Sequence, residues 1–425
     1  MAYACGVDFG TSNSTVACLK NSQPILLALE EDKFTLPSVI FFNTDLDQTT
    51  YGRAALAAYL EGYEGRLMRS MKSLLGTSLL DGHTEVDGRR LGYQDLLIQY
   101  IAELKSRAQQ AAGQEFVHAV FGRPVHFIDD NPAADQKAEH SLREIAHAVG
   151  FKEITFQLEP IAAALDYESS LVQEELVLVV DIGGGTSDFS VLRLSPQRRN
   201  QVERQEDILS NAGVHIGGTD FDKYLSLRHL MPLLGMNGQL RNGSTMPSTH
   251  YFNLATWHTI NLAYTQKVQR EVADLMREVE SPSLRHQCAC LQNLLEQKDG
   301  HWLAMKAEQA KIALTEVPST TLELERFCNK NEKNRTHTVE ISNASFLVSI
   351  AHLLQEMQQT VSLVLKQALV SPDQIDTIYF TGGASGVRGL RQYLTQILPH
   401  ARQVNGDVFG SIGSGLAWEA HRRYG

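Results

Sequence analysis

The chain has 425 residues, 43% hydrophobic and 20% charged, and its 38 Lys and Arg against 49 Asp and Glu leave a net charge of −11. That length needs more than one core, and the composition is that of a soluble globular protein. The negative balance argues against nucleic-acid or anionic-membrane partners.

Five cysteines (Cys5, Cys18, Cys288, Cys290 and Cys328) show no disulfide-framework spacing, which points to a reducing compartment. The sequence starts without a basic, signal-like apolar segment, and no apolar run is long enough to span a bilayer. The expectation is a cytoplasmic protein.

In chain order, residues 3–9, 15–19 and 38–42 read as a three-stranded meander. Residues 94–112 place Leu96, Leu97, Ile101 and Leu104 on one helical face. A strand at 117–121, a helix at 133–149 and a strand at 154–157 follow, and Glu159-Pro160 opens an alanine-rich helix with Pro in the tolerated first turn. Strands at 175–181, 189–194 and 208–212 then start the pattern again, and Gly217-Gly218-Thr219-Asp220-Phe221-Asp222 begins a helix. Between 230 and 300, Met236-Asn237-Gly238, Asn242-Gly243-Ser244 and Pro247-Ser248 read as loop, and 256–280 and 284–314 as long polar helices. A strand at 375–381 runs into Thr381-Gly382-Gly383-Ala384-Ser385 and another helix. The repetition argues for a duplication and two α/β lobes, 1–174 and 175–425. The second would carry a helical insertion at 228–318, and its last helix, 410–424, would pack back toward the first lobe.

Two segments carry the chemistry. Gly6-Val7-Asp8-Phe9-Gly10-Thr11-Ser12-Asn13-Ser14 and Val180-Asp181-Ile182-Gly183-Gly184-Gly185-Thr186-Ser187-Asp188 each follow an apolar strand with Asp, a glycine-rich turn and hydroxyl residues. Glycine lets backbone N–H groups close on an anion, hydroxyls add donors, and the Asp can hold a hydrated divalent metal. Two such hairpins can grip one polyphosphate from both sides, which implies a nucleotide in a cleft. Neither loop is a P-loop, and Gly410-Ser411-Ile412-Gly413-Ser414-Gly415 has the wrong glycine order for a dinucleotide fingerprint. Gly382-Gly383 could pass close to a flat base, although a plain strand-to-helix turn has the same residues. Glu308 and Lys311 could hold a ribose, although a solvated i,i+3 charge pair has the same spacing.

Together these residues resemble the ATPase domain of the seventy-kilodalton heat-shock chaperones, within the actin and sugar-kinase superfamily, over nearly the whole chain. Gly6 to Ser14 and Asp181 to Asp188 resemble the family's two phosphate loops. Leu36-Pro37-Ser38-Val39 resembles its Pro-Ser strand, and Met71-Lys72-Ser73-Leu74-Leu75-Gly76 the segment bearing its catalytic lysine. Glu159-Pro160-Ile161-Ala162-Ala163-Ala164-Leu165 resembles its Glu-Pro helix, and Gly217 to Asp222 its Gly-Gly-x-Asp-Phe-Asp helix start. Ala307-Glu308-Gln309-Ala310-Lys311-Ile312-Ala313-Leu314 resembles its nucleoside-contacting helix, and Gly382-Gly383 its adenosine loop. Within that family the chain looks most like the short YegD-like branch without a peptide-binding domain. The resemblance implies an α/β actin-like ATPase fold, with two duplicated ribonuclease-H-like lobes flanking a nucleotide cleft.

The resemblance also implies ATP or ADP with Mg²⁺, and K⁺ as a further cation. Asp8 and Asp181 would hold Mg²⁺ through water, with Asp188 beside them. Lys72 would place the attacking water and offset γ-phosphate charge, and Glu159 would act near that water. Gly10, Thr11, Ser12, Asn13, Gly183, Gly184, Gly185, Thr186, Gly217 and Gly218 would line the phosphates. Glu308, Lys311, Thr315, Gly382, Gly383, Ser385 and Asp407 would line the nucleoside. Phosphoryl transfer needs mostly positioning and charge neutralisation, so this set suffices.

Departures from the family are plain. The usual Thr-Arg after Gly-Gly-x is replaced by Ser385-Gly386, with Arg388 the next arginine. Pro124 matches the family's proline switch, whereas Glu139 stands where its relay arginine is expected. The sequence stops after the last ATPase helix, so slow hydrolysis unstimulated by extended peptides is expected. Protein clients or cochaperones would bind the second-lobe insertion. A small-molecule kinase and a nonenzymatic scaffold or filament are the alternatives. His286-Gln287-Cys288-Ala289-Cys290 is a weak metal signal, because Cys-x-Cys within a helix points its thiols apart. His215 and His258 read as ordinary surface or core residues.

Overall fold

The computed structural model describes residues 4–198, 201, 204–327, 337–408 and 410–425, so Cys328 lies outside the described residues. The chain divides into two compact units, Met1–Gly218 with Gln355–Gly425, and Thr219–Leu354. Among the described residues no helix is long and apolar enough to cross a membrane.

The first unit holds two sheets of the same design. One runs Gln23–Leu26, Asn13–Lys20, Ala4–Phe9, His118–Arg123, Glu153–Leu158; the other runs Ile208–Val214, Ser187–Leu194, Glu175–Ile182, Thr377–Thr381, Arg402–Asn405. In each, three antiparallel strands meet two parallel ones at a central strand. The central strands are covered on both faces, so Glu175–Ile182 reads as an almost unbroken apolar run rather than an alternating one. Each central strand ends in an aspartate and a glycine turn, at the carboxyl edge where open α/β sheets bind ligands.

The packing follows side-chain period. Cys5, Val7 and Phe9 alternate onto Leu96, Leu97, Tyr100 and Leu104 of the helix Tyr93–Ala112, with Leu142 and Ile145 of the helix Pro132–Ala148 in the same core. A second core joins the helix Glu159–Glu168 to Val120, Val177 and Val179 and to Leu416 of the helix Ser411–Tyr424. Alanines at 162–164 keep that central helix thin enough to fit.

Three expectations need correction. The third strand of the first meander is Gln23–Leu26, whereas Val39–Asn43 belongs to a separate sheet with Gln48–Tyr51 and Gly65–Arg69. Asn21 and Ser22 both take positive φ, 51° and 59°, and such a two-residue turn matches strand twist and returns the chain at once. Residues 256–280 are not one helix: a 3₁₀ turn, Ile260–Tyr264, precedes Gln266–Arg277, whose first turn is capped by the Thr265 hydroxyl. Residues 284–314 form two helices, Pro282–Glu296 and Gly300–Glu316, separated where Lys298 turns left-handed at φ 55°.

These second-unit helices enclose a core rather than presenting a polar surface. Trp257 and Trp302 are fully buried, with Tyr251, Leu291 and Leu294. The unit also holds a hairpin of Ser319–Leu324 and His337–Ser342 and the helix Asn343–Ser349. Cys5, Cys18 and Cys288 are free and buried, whereas Cys290 is disulfide-bonded. Spacing gave no sign of that bond, because the fold decides which sulfurs meet.

Candidate functional site

The site builds from the two hairpin turns of the first unit. Asp8 pairs across its hairpin with Thr15, and Asp181 pairs across the other with Asp188. The second turn is closed by Gly183 N–H donating to the Thr186 carbonyl at 2.9 Å, and Gly218 N–H donates to the Gly183 carbonyl at 2.9 Å. The two turns touch: Gly184 faces Ser12, and Gly185 faces Thr11 and Ser73. Gly217 lies flat on this arrangement, since a Cβ there would stand 2.5 Å from the backbone of Gly184 and Gly185. Gly382, at φ 80°, brings the end of Thr377–Thr381 against Asp181, whose Oδ1 would lie 2.5 Å from an added Cβ. No other residue fits either position.

Below the loops sits a buried charge cluster. Lys72 Nζ donates to Glu159 Oε1 at 2.7 Å, with the two side chains only 7% and 8% exposed. The carboxylates of Glu159, Asp181 and Asp188 lie within 4.8 Å of one another, all buried. Val125 N–H donates to Asp188 Oδ1 at 2.7 Å, whereas Asp188 Oδ2 and Asp181 Oδ1 accept no hydrogen bond from the described residues. Burial, and then the Glu159 charge, push Asp188 up to about 8 and Asp8 up to about 7, with Lys72 pulling back on both. The same causes, with Asp188 and Asp8 adding, raise Asp181 well above the carboxylate range. Burial works against the Lys72 charge, but Glu159, Asp8 and Asp188 outweigh it and raise the ammonium pKa. The cluster is therefore short of positive charge.

Two residues outside the expected set support it. Ser38 Oγ donates to the Gly10 carbonyl at 2.7 Å and meets Ser14 Oγ at 3.0 Å, fixing the first turn. Arg123 binds Asp135 at 2.8 Å, pairs with Glu139, and donates to the Val125 carbonyl at 3.2 Å. It thereby steadies the segment that reaches Asp188. The adjacent Arg123-Pro124 pair is its sequence signal.

Of the remaining candidates, Gly383, Ser385 and Asp407 belong to the first unit. Ser385 is buried and its carbonyl accepts from Arg391, which lies over the Phe380 ring. Gly383 is exposed, and Asp407 stands exposed before the helix Ser411–Tyr424. Glu308, Lys311 and Thr315 belong to the second unit. There Lys311 Nζ pairs with buried Asp222 at 2.8 Å, Trp257 Nε1 donates to Asp222 at 3.2 Å, and Thr315 Oγ1 bonds its own helix at Ile312.

The mixed α/β sheets fit an actin-like ATPase fold. A family model described as Hsp70 protein matches residues 4–94, 83–236 and 291–420, most of the chain. The chain belongs to the Hsp70 family. Members of that family bind ATP or ADP with Mg²⁺ and act as chaperone-like proteins that engage clients or cochaperones.

Proposed function

We propose that this chain is a slow, Mg²⁺-dependent ATPase with a chaperone-like role. The observation that carries the reading is the buried Lys72–Glu159 pair set among the carboxylates of Asp8, Asp181 and Asp188 beneath two touching glycine loops. The orphaned oxygens of Asp181 and Asp188, with Glu159, are hard ligands of the kind Mg²⁺ takes, and a cation there relieves their mutual repulsion. Asp8 and Asp181 would hold the ion through water, and K⁺ suits the same oxygens. When bound, Mg²⁺ supplies charge neutralisation on the phosphates.

The chain's own groups do the rest. Backbone amides of 10–13 and 183–186 and the hydroxyls of Thr11, Ser12 and Thr186 cradle the phosphates. Lys72, held at one end by Glu159, offsets charge on the γ-phosphate and orients the attacking water. Glu159 fixes that ammonium and accepts a hydrogen bond from the water. Gly382 and Gly383 pass the base, Ser385, Thr315 and Asp407 line the nucleoside, and Glu308 and Lys311 take the ribose. Because Lys311 is bonded to Asp222, it shares its ammonium with the sugar. Lobes 1–174 and 175–425 would close on the nucleotide, and clients or cochaperones would bind at 228–318.

Phosphate release from ATP alone tests the reading. Turnover that needs Mg²⁺ and falls about a hundredfold in Asp181→Asn supports it, as loss of one preorganised electrostatic group commonly has that effect. A requirement for an added acceptor would make the protein a kinase, and the absence of turnover would make it a scaffold.

A further inference from the structure

We infer that the Ser73 hydroxyl donates to the terminal phosphate of the nucleotide, a contact that a nucleoside triphosphate makes and a diphosphate does not. This role rests on the phosphate site proposed above and adds a residue to it. Ser73 lies on a 3₁₀ turn, Met71–Leu74, just after the strand Gly65–Arg69. Such a turn has three residues to the circle, so neighbouring side chains point about 120° apart. Lys72 is directed to Glu159, to which it is bonded at 2.7 Å. Ser73 is directed instead to the glycine loops, with its Oγ 3.5 Å from where a Cβ on Gly185 would stand. Thr11 Oγ1, from the other loop, lies 2.8 Å from that same point. The two hydroxyls are close enough together for one phosphate to bridge. All of these residues belong to the first unit.

The turn is held firmly. Met71, Leu74 and Leu75 flank Ser73 and are buried in the first core. Ser70, which precedes the turn, is buried with its backbone in the left-handed region at φ 58°. Its carbonyl accepts from Ser73 N–H at 3.1 Å. A serine seldom holds that conformation, and it persists only where the surroundings impose it. Strain of this kind gathers at ligand sites, and here it sets the directions of Lys72 and Ser73.

The hydroxyl itself is uncommitted. Serine on a helix commonly bonds a carbonyl of the preceding turn, as Ser349 does to Phe346 at 2.6 Å and Ser362 to Gln358 at 3.0 Å. Ser73 Oγ bonds none of the described residues, and its side chain is partly buried rather than fully solvated. A donor drawn out of water in this way gains most from an anionic acceptor. The phosphate between the loops supplies one. Ser73 follows Lys72 directly, so a phosphate within reach of the ammonium is within reach of the hydroxyl. The ammonium serves the γ-phosphate, which ADP lacks.

The test is calorimetric titration of the full chain with ATP and with ADP, each with Mg²⁺, for wild type, Ser73→Ala and Ser73→Asp. Ser73→Ala should weaken ATP binding at least about tenfold, as loss of a hydrogen bond to a charged group does, and leave ADP binding nearly as before. Ser73→Asp sets a carboxylate against the third phosphate and should cost ATP more than Ser73→Ala does, again with little change for ADP. The melting temperature without nucleotide should not move in Ser73→Ala, because no bond among the described residues is lost. Equal ATP affinity in wild type and Ser73→Ala, or parallel losses for ATP and ADP, would overturn the role of Ser73 and leave the phosphate site standing. Failure of the wild type to bind either nucleotide would remove the phosphate site and the role of Ser73 with it.

Discussion

Proton linkage gives the sharpest check on the carboxylate cluster. The ordinary Asp pKa is 3.8, and in the folded chain Asp188 rises to about 8. Between those values the folded state holds a proton that the unfolded state has released, so stability falls as pH rises. The contribution is complete below pH 4 and lost by pH 8. Four units at about 1.4 kcal/mol each make the full span on the order of 5 kcal/mol. Asp8 and Asp181 are crowded into the same cluster and titrate together with Asp188, so a difference measurement is needed. Asp188→Asn removes the titration yet keeps an oxygen to accept from Val125 N–H. Urea unfolding of the nucleotide-free chain from pH 5 to 7.5 should show wild type losing about 3 kcal/mol more than the variant. Saturating Mg²⁺ should flatten the wild-type curve. Parallel curves for the two proteins, with or without Mg²⁺, would refute both the crowding and the cation assignment.

Lys72→Met leaves Glu159 buried without its cation, so unfolding should cost about 3 kcal/mol less. Phosphate release should fall about a hundredfold or more while ATP affinity, by calorimetry, stays within about tenfold; equal turnover would remove Lys72 from the chemistry. Gly217→Ala forces a methyl into the backbone of Gly184 and Gly185, so ATP affinity should drop at least about tenfold with 1–3 kcal/mol of destabilisation, roughly. Lys311→Met should destabilise the chain by about 3 kcal/mol by stranding Asp222, and adding Asp222→Asn should recover part of that loss in a denaturation series.

What the sequence made legible was local. Strands buried on both faces, such as Glu175–Ile182, and helices with a clean apolar stripe, such as Tyr93–Ala112, stood within a residue or two of their observed bounds. The glycine turns and the Glu159-Pro160 start carried their own chemistry. The losses came where a short feature outweighed periodicity: the turn at Asn21 and Ser22, and the left-handed Lys298 that splits one long helical pattern in two. The site's residue types were readable, but its pairing was not. Lys72 and Glu159 are 87 positions apart, and a lone lysine in sequence looks like any surface charge. The same holds for Cys290 and for Lys311 with Asp222, whose partners only folding selects.

The helix Ser411–Tyr424 lies against the first strand of the chain, with Leu416 and Ala417 directly over Gly6 and Tyr424 stacked on His118. A ribosome emits that strand some four hundred residues before the helix that covers it. Throughout synthesis one face of the first sheet is bare, and closing so long a loop is slow. An apolar surface kept waiting in this way is an aggregation hazard, and the kind of surface that chaperones shield. A member of a chaperone family thus leaves part of its own nascent chain uncovered until the helix Ser411–Tyr424 emerges.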